Sequence, residues 1–250
     1  MSHFEFSTAS RIIFGAGAHK QIAQIAKSYG AHAFVVVDVT PERAQAILDG
    51  LEEAGVPATV YAVTGEPSVE SVTAGVEQAK AAGADVIVAV GGGSVIDTGK
   101  AVAALSTNRR PIMDYLEVVG QGMPLTEPSM PLIAAPTTAG TGAEVTRNAV
   151  IKVPEERVKV SLRSATMMPA AAVVDPELTL TVPPNVTAST GLDALTQCFE
   201  PYVSCQSNPL TDGIAREGMQ RAARSLRRAY EDGKDLAART DMAIASLFGG

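Results

Sequence analysis

A chain of 250 residues, 46% hydrophobic and 19% charged, holds enough apolar material for one large or two modest globular cores. A net charge of −7 and a pI near 5.0 exclude a broad basic groove for nucleic acid and argue against an anionic membrane surface. No apolar run reaches membrane-spanning length, the first residues lack a secretion signal's apolar core, and two cysteines in one predicted helical region, Cys198 and Cys205, form no disulfide framework. These features predict a soluble, cytoplasmic protein.

In chain order, Arg11 to Phe14 predicts a short strand closed by Gly15-Ala16-Gly17, and His19 to Tyr29 a helix stopped by Gly30. The glycines at 15 and 17 read as turn chemistry. Ala33 to Val37 is a continuous apolar run, as a strand buried on both faces requires. Asp38 stands at its carboxyl end. It can accept hydrogen bonds from a ribose or cap a helix beginning at Pro41-Glu42-Arg43, and local sequence leaves both readings open. A helix over 42–54, a strand over Ala58 to Val63 and a helix over 69–82 with Ser68 as its cap complete the first half.

The pattern is clearest at Val86 to Val90, a second fully apolar strand, followed by Gly91-Gly92-Gly93-Ser94 and a helix that carries Lys100. Three glycines allow a sharp turn and remove side chains that would block a ligand. The N–H groups of Ser94, Val95 and Ile96 then open the helix, and a helix N-terminus favours an anion such as a phosphate. A turn without a ligand is the plainer alternative.

After an irregular stretch over 109–131, Leu132 to Ala135 predicts another strand. Its exit loop, Pro136 to Gly142, is rich in threonine and glycine and suits a phosphate or a cofactor amide. Asn148 to Val153 and Arg157 to Ser161 read as an antiparallel pair, and Ala172 to Val174 as a last strand. Beyond Pro183-Pro184 the pattern is helical throughout, over 186–203, 209–230 and 237–248. Arg221, Arg224, Arg227 and Arg228, with Glu231 and Asp232 close by, read as a solvated helix face. The expected architecture is α/β: a Rossmann-like parallel-sheet domain over 1–182, then the beginning of an all-α domain over 183–250.

Four blocks carry a resemblance: VVVD at 35–38, GGGSVIDTGKA at 91–101, PTTAGTGAEVT at 136–146, and DPELTLTVPP with TGLDALTQCFEPYVS across 175–204. In this order they resemble the iron-containing, or group III, alcohol dehydrogenases, whose architecture is shared with dehydroquinate synthase. The resemblance implies NAD-dependent hydride transfer between an alcohol and an aldehyde or ketone. It also implies a small-molecule substrate and a homo-oligomer, while the acidic charge balance noted above speaks against a nucleic-acid or membrane partner. It places the pyrophosphate on Gly92, Gly93 and Ser94, a second cofactor wall at Thr137, Thr138 and Thr141, and a cofactor contact at Lys159. Asp38 matches the carboxylate on the adenine ribose, which favours NAD over NADP.

Asp193 matches the family's first ligand for a divalent metal, iron or zinc. Gln197 stands where members place a histidine, and an amide is a poorer partner for those metals. The family's two further histidine ligands lie beyond Gly250, and His3, His19 and His32 sit far from Asp193 in sequence. The expectation is therefore an incomplete metal site, with no catalytic residue assigned and helices at 186–203 and 242–248 left with exposed apolar faces. Alternatives are an NAD-binding piece without turnover, a metal-independent reductase that relies on oriented dipoles, and a carbon–oxygen lyase of the dehydroquinate synthase kind. The threonine loop and the DPELT block speak against the lyase.

Overall fold

Uninterrupted apolar strands need cover on both faces, and the computed structural model, which describes residues 3–38 and 44–250, provides it. Six parallel strands, β1 (Ile12–Phe14), β2 (Ala33–Asp38), β3 (Ala58–Val63), β4 (Val86–Gly91), β5 (Leu132–Pro136) and β8 (Ala171–Val174), form one sheet in the order β1-β8-β5-β4-β2-β3. β6 (Asn148–Val153) and β7 (Val158–Arg163) form a separate antiparallel hairpin. Among β2, β4, β5 and β8 every residue except Asp38 is buried, whereas the edge strand β3 alternates towards solvent.

Alternate residues feed two cores. Phe34, Val36, Ile87, Ala89 and Leu132 face α3 (Val69–Ala81) and α4 (Gly93–Thr107). Val35, Val37, Val88, Ile133 and Ala135 face α1 (Ile22–Tyr29) and α2 (Gln45–Glu53). Helices on both faces of a parallel sheet make a doubly wound fold. The chain grows outward from β2 to β3, then returns to place β4 on β2's other side. The strand order thus reverses between β2 and β4, where open α/β sheets take ligands at their carboxyl ends.

Local chemistry explains the element ends. Ser68 caps α3 in a reciprocal pair with Ser71. Gly15 and Gly17 adopt positive φ, as turn glycines should. The first part of the expected 19–29 helix is a 3-10 turn at Ala18–Gln21, and the expected helix start and cap at 41–43 lie outside the described residues. The 109–131 stretch contains one short helix, α5 (Ile112–Tyr115). Asn108 pins the remainder: its amide oxygen accepts from the N–H groups of Thr126 and Glu127, and its NH₂ donates to Glu127 O.

The helical part comprises α6 (Pro184–Val203), α7 (Pro209–Glu231) and α8 (Leu236–Gly249). Small residues let these helices approach closely: a Cβ on Gly218 would lie 2.5 Å from Cys198 Sγ, and one on Gly191 3.1 Å from Met242 Cε. Asp241 accepts from Arg221, Arg224 and Ser225, so the basic face of α7 is tied to α8 as well as solvated. Cys198 is buried on α6, while Cys205 is exposed in the turn beyond the helix instead of on it. On α6, Leu192, Phe199 and Val203 are exposed, but on α8 Met242, Ala243 and Ala245 are buried, so of the two expected open faces the one on α6 is found and the one over 242–248 is largely covered. Among the described residues no helix is long and apolar enough to cross a membrane.

α4 lies close on the sheet because Gly99 has no side chain; a Cβ there would sit 2.8 Å from that of Ala89 and 3.4 Å from Leu132 Cδ1. Gly99→Val should therefore cost about 1–3 kcal/mol in chemical denaturation through overpacking, and an unchanged midpoint would contradict this contact.

Candidate functional site

β4 ends in the glycine turn, and the turn's geometry differs from the sequence expectation. Gly91, Gly92 and Gly93 all avoid positive φ, so conformational freedom is not what glycine supplies here. Close approach is. A Cβ on Gly93 would meet Thr141 Cγ2 at 2.8 Å, one on Gly92 would meet Thr138 Oγ1 at 3.3 Å, and one on Gly91 would lie 2.6 Å from Val95 Cβ. The missing side chains admit the threonine loop that follows β5, and Thr137 N–H donates to Gly91 O at 3.0 Å.

The start of α4 also needs correction. The N–H groups of Val95 and Ile96 both bond to Gly92 O, so they are not available to a ligand. The amides of Gly93 and Ser94 precede any carbonyl the helix could offer them, and no side chain caps this end. Two donors and the positive end of a helix dipole open here.

They open onto a cavity of about 500 Å³. The structure brings to its lining all eight residues read from the sequence as cofactor contacts: Asp38 from β2, Gly92, Gly93 and Ser94 from the turn, Thr137, Thr138 and Thr141 from the loop, and Lys159 from β7. Lys159 pairs with Glu66 at the rim, both side chains being about half exposed. Thr137 is 1% exposed, and its hydroxyl oxygen has no hydrogen-bond partner. A buried polar atom without a partner is costly, so a ligand that supplied a partner here would gain by it.

The threonine loop is held from the helical side. Gly140 N–H donates to Ser246 Oγ on α8 at 2.8 Å, and Gln197 Nε2 on α6 donates to Gly140 O at 3.3 Å. Gln197 thus braces the cavity wall. Asp193, one turn earlier on α6, is exposed and does not line the cavity. Among the described residues no group of three potential ligands gathers around it. Such a group among the described residues is His19, Asp175 and Glu177, beyond β8. There the Asp175 carboxylate already accepts from His19 N–H at 3.0 Å and Glu177 N–H at 2.9 Å, and His19 Nδ1 lies 2.5 Å away. This arrangement ties the first glycine turn to the end of the sheet.

Sequence reasoning gave no role to three charges beside the cavity. Asp97 lines it, while Lys100 and Glu144 are almost wholly buried behind it. Burial pushes the Glu144 carboxyl up to about 7 and the Lys100 ammonium down to about 8, the latter opposed by Asp97 and Glu144. Burial likewise raises Asp97 against the pull of Lys100. The i,i+3 spacing of Asp97 and Lys100 was the available signal.

A family profile described as iron-containing alcohol dehydrogenase matches residues 9–176, and its C-terminal counterpart matches 187–250. Alcohol dehydrogenase 4 of Saccharomyces cerevisiae is 41% identical over 244 residues, covering 95% of this chain and 62% of that protein. Sulfoacetaldehyde reductase of Bilophila wadsworthia is 38% identical, covering 99% and 64%. Among solved structures, a 1,3-propanediol oxidoreductase superposes with a TM-score of 0.94 at 33% identity, over 100% of this chain and 65% of that one. Sulfoacetaldehyde reductase from Bifidobacterium kashiwanohense in complex with NAD+ superposes at 0.92 and 33%, over 100% and 66%. The chain therefore spans a little under two thirds of these relatives' length.

Glu144 yields a pH prediction. Its folded-state pKa lies above the ordinary 4.5, so the folded protein holds this proton more tightly than the unfolded chain does. The stability it contributes is full below about pH 4.5 and is lost as pH rises through about 7, at most about 3 kcal/mol. Thermal melts of Glu144→Gln should lack this part of the wild-type decline between pH 5 and 8, and parallel profiles would refute the assignment.

Proposed function

The chain belongs to the iron-containing alcohol dehydrogenase family, and from that premise we propose that its cavity binds NAD and that it serves hydride transfer between an alcohol and an aldehyde or ketone. The observation that carries this reading is the uncapped N-terminus of α4, opening onto a cavity whose opposite wall holds the unpartnered Thr137 hydroxyl. In this reading Gly92, Gly93 and Ser94 present backbone N–H groups to the pyrophosphate. Thr137, Thr138 and Thr141 form the facing wall. Asp38 accepts from the adenine ribose hydroxyls and repels a 2′-phosphate, favouring NAD over NADP. Lys159 reaches the cofactor from its ion pair with Glu66. Bound NAD supplies the hydride acceptor or donor; the protein's share is to orient it and keep the pyrophosphate at the helix end.

The metal is a different matter. His19, Asp175 and Glu177 form a separate hydrogen-bonded group beyond β8, and on α6 the described residues offer one exposed carboxylate at Asp193 and an amide at Gln197 whose NH₂ is engaged with Gly140 O. Iron or zinc requires more donors than these, with nitrogen among them. The donor set does not fit, and no step is assigned to a metal. That observation favours a second reading, nucleotide binding without turnover by these residues alone.

The remaining proposals are a division into an NAD-binding part over 1–182 and a helical part over 183–250, a small-molecule alcohol or carbonyl substrate, a cytoplasmic setting and a homo-oligomer. Calorimetry with NAD+, paired with an alcohol oxidation assay followed by NADH absorbance, separates the readings. Binding with turnover supports the dehydrogenase, binding alone the second reading, and no binding refutes both.

Thr137→Val should leave the unliganded protein as stable or more so, since it removes an unpaired buried hydroxyl, while weakening NAD+ binding about fivefold to tenfold. A destabilised protein with unchanged affinity would show the hydroxyl to be structural. Asp38→Ala should narrow the preference for NAD+ over NADP+ by at least about tenfold, measured as a ratio of dissociation constants; an unchanged ratio would return Asp38 to a mere helix cap.

A further inference from the structure

Among the elements that line the cavity are α4, through Asp97, and β6, through Val150. They are stitched together at the cavity surface, where Val150 N–H donates to Asp97 Oδ2 at 2.9 Å. Directly behind lies Lys100, one turn further along α4 and with no solvent exposure. Its ammonium donates to Thr146 Oγ1 at 2.7 Å and to Asn148 O at 2.9 Å, at the start of β6, and stands 3.7 Å from Asp97 Oδ1. Lys100 does not line the cavity, so it cannot touch a bound molecule. Asp97 does line it, with its side chain 15% exposed.

A lysine is an expensive way to join a helix to a strand. Burying an ammonium is costly unless charge and hydrogen bonds compensate, and an apolar side chain of equal volume would pack as well. The compensation here is specific. The charged groups facing Lys100 are Asp97 on its own helix and Glu144 from the 3-10 turn before β6; the contacts from β6 itself are a carbonyl and, just before the strand, a hydroxyl. Without the ammonium, Asp97 would be a mostly buried carboxyl beside a second buried acid, and burial would drive it towards the neutral form. A neutral carboxyl, free to rotate, would no longer present a fixed acceptor to the cavity.

We propose that Lys100 is a positioning residue for the nucleotide cavity: its buried ammonium keeps Asp97 ionised and locked against Val150, so that Asp97 offers a fixed anionic acceptor to an N–H or O–H of the bound cofactor. This rests on the reading of the cavity as an NAD site. Lys100 acts through Asp97 and the cavity wall, and Glu144 completes the charge set without reaching the cavity.

The test is calorimetric titration of the full chain with NAD+ in wild type, K100M, D97N and the double variant, each checked by thermal melting. K100M keeps the volume of the side chain and removes its charge. The expected result is about a tenfold loss of affinity in K100M, a similar loss in D97N, and a double variant no weaker than either, because both changes remove the same acceptor. Losses that multiply in the double variant would show Lys100 to act independently of Asp97 and would overturn the proposal. K100M binding within about twofold of wild type would also overturn it, while leaving the NAD reading intact. A wild-type chain that takes up no NAD+ overturns that reading, and this inference with it. Should K100M fail to fold, D97N still decides: its amide oxygen can keep the bond to Val150 N–H, and undiminished affinity in that folded variant overturns the proposal.

Discussion

The threonine loop after β5 rests directly on the first turn of α4, and it can do so because Gly92 and Gly93 carry no side chain, while Gly91 makes room for Val95. The spacing between a Cβ at Gly93 and the Thr141 side chain would be 2.8 Å, well inside van der Waals contact. Everything else at the site follows from that closeness. It brings the uncapped helix end and the Thr137 hydroxyl to one cavity, and it sets both beside Asp38 at the point where the strand order reverses. The helical part depends on the same contact, since Ser246 and Gln197 hold Gly140 in that loop from α8 and α6. Glycine's usual role, access to positive φ, is exercised elsewhere, at Gly15, Gly17 and Gly142.

Behind the cavity lies a second layer of organisation, in charges. Lys100, Glu144 and Asp97 occupy a region that an apolar core would fill at lower cost, and burial pushes all three towards their neutral forms. Their place next to a ligand wall is what the proposed positioning role accounts for. By contrast, the ion pairs of Asp241 with Arg221 and Arg224 join α7 to α8 and need no ligand to account for them.

Much of the fold was legible because its physics is local. β2, β4 and β5 are covered on both faces, and two-sided burial writes itself as an unbroken apolar run. Ser68 as a cap and the 148–163 hairpin were readable for the same reason. Strand order was not written in any one segment, yet it decides that Asp38 and the glycine turn meet. The reason for the glycines was misread, since a glycine required for a distant contact looks the same as one required for a turn. The burial of Lys100 and Glu144 was not legible, because charged residues are normally exposed and only the packing of distant segments encloses these two. Gln197 was recognised as a departure from a histidine, but its bond to Gly140 O depends on a loop 57 residues earlier in the chain.

The central claim is that the N-terminal turn of α4 and the threonine loop form one nucleotide cradle. A crystal structure of this protein with NAD+ tests it most directly. The account predicts pyrophosphate oxygens within hydrogen-bond distance of the Gly93 and Ser94 amides, with the Thr137 hydroxyl donating to the cofactor. A nucleotide bound elsewhere, or one that leaves those amides and Thr137 without partners, would contradict it.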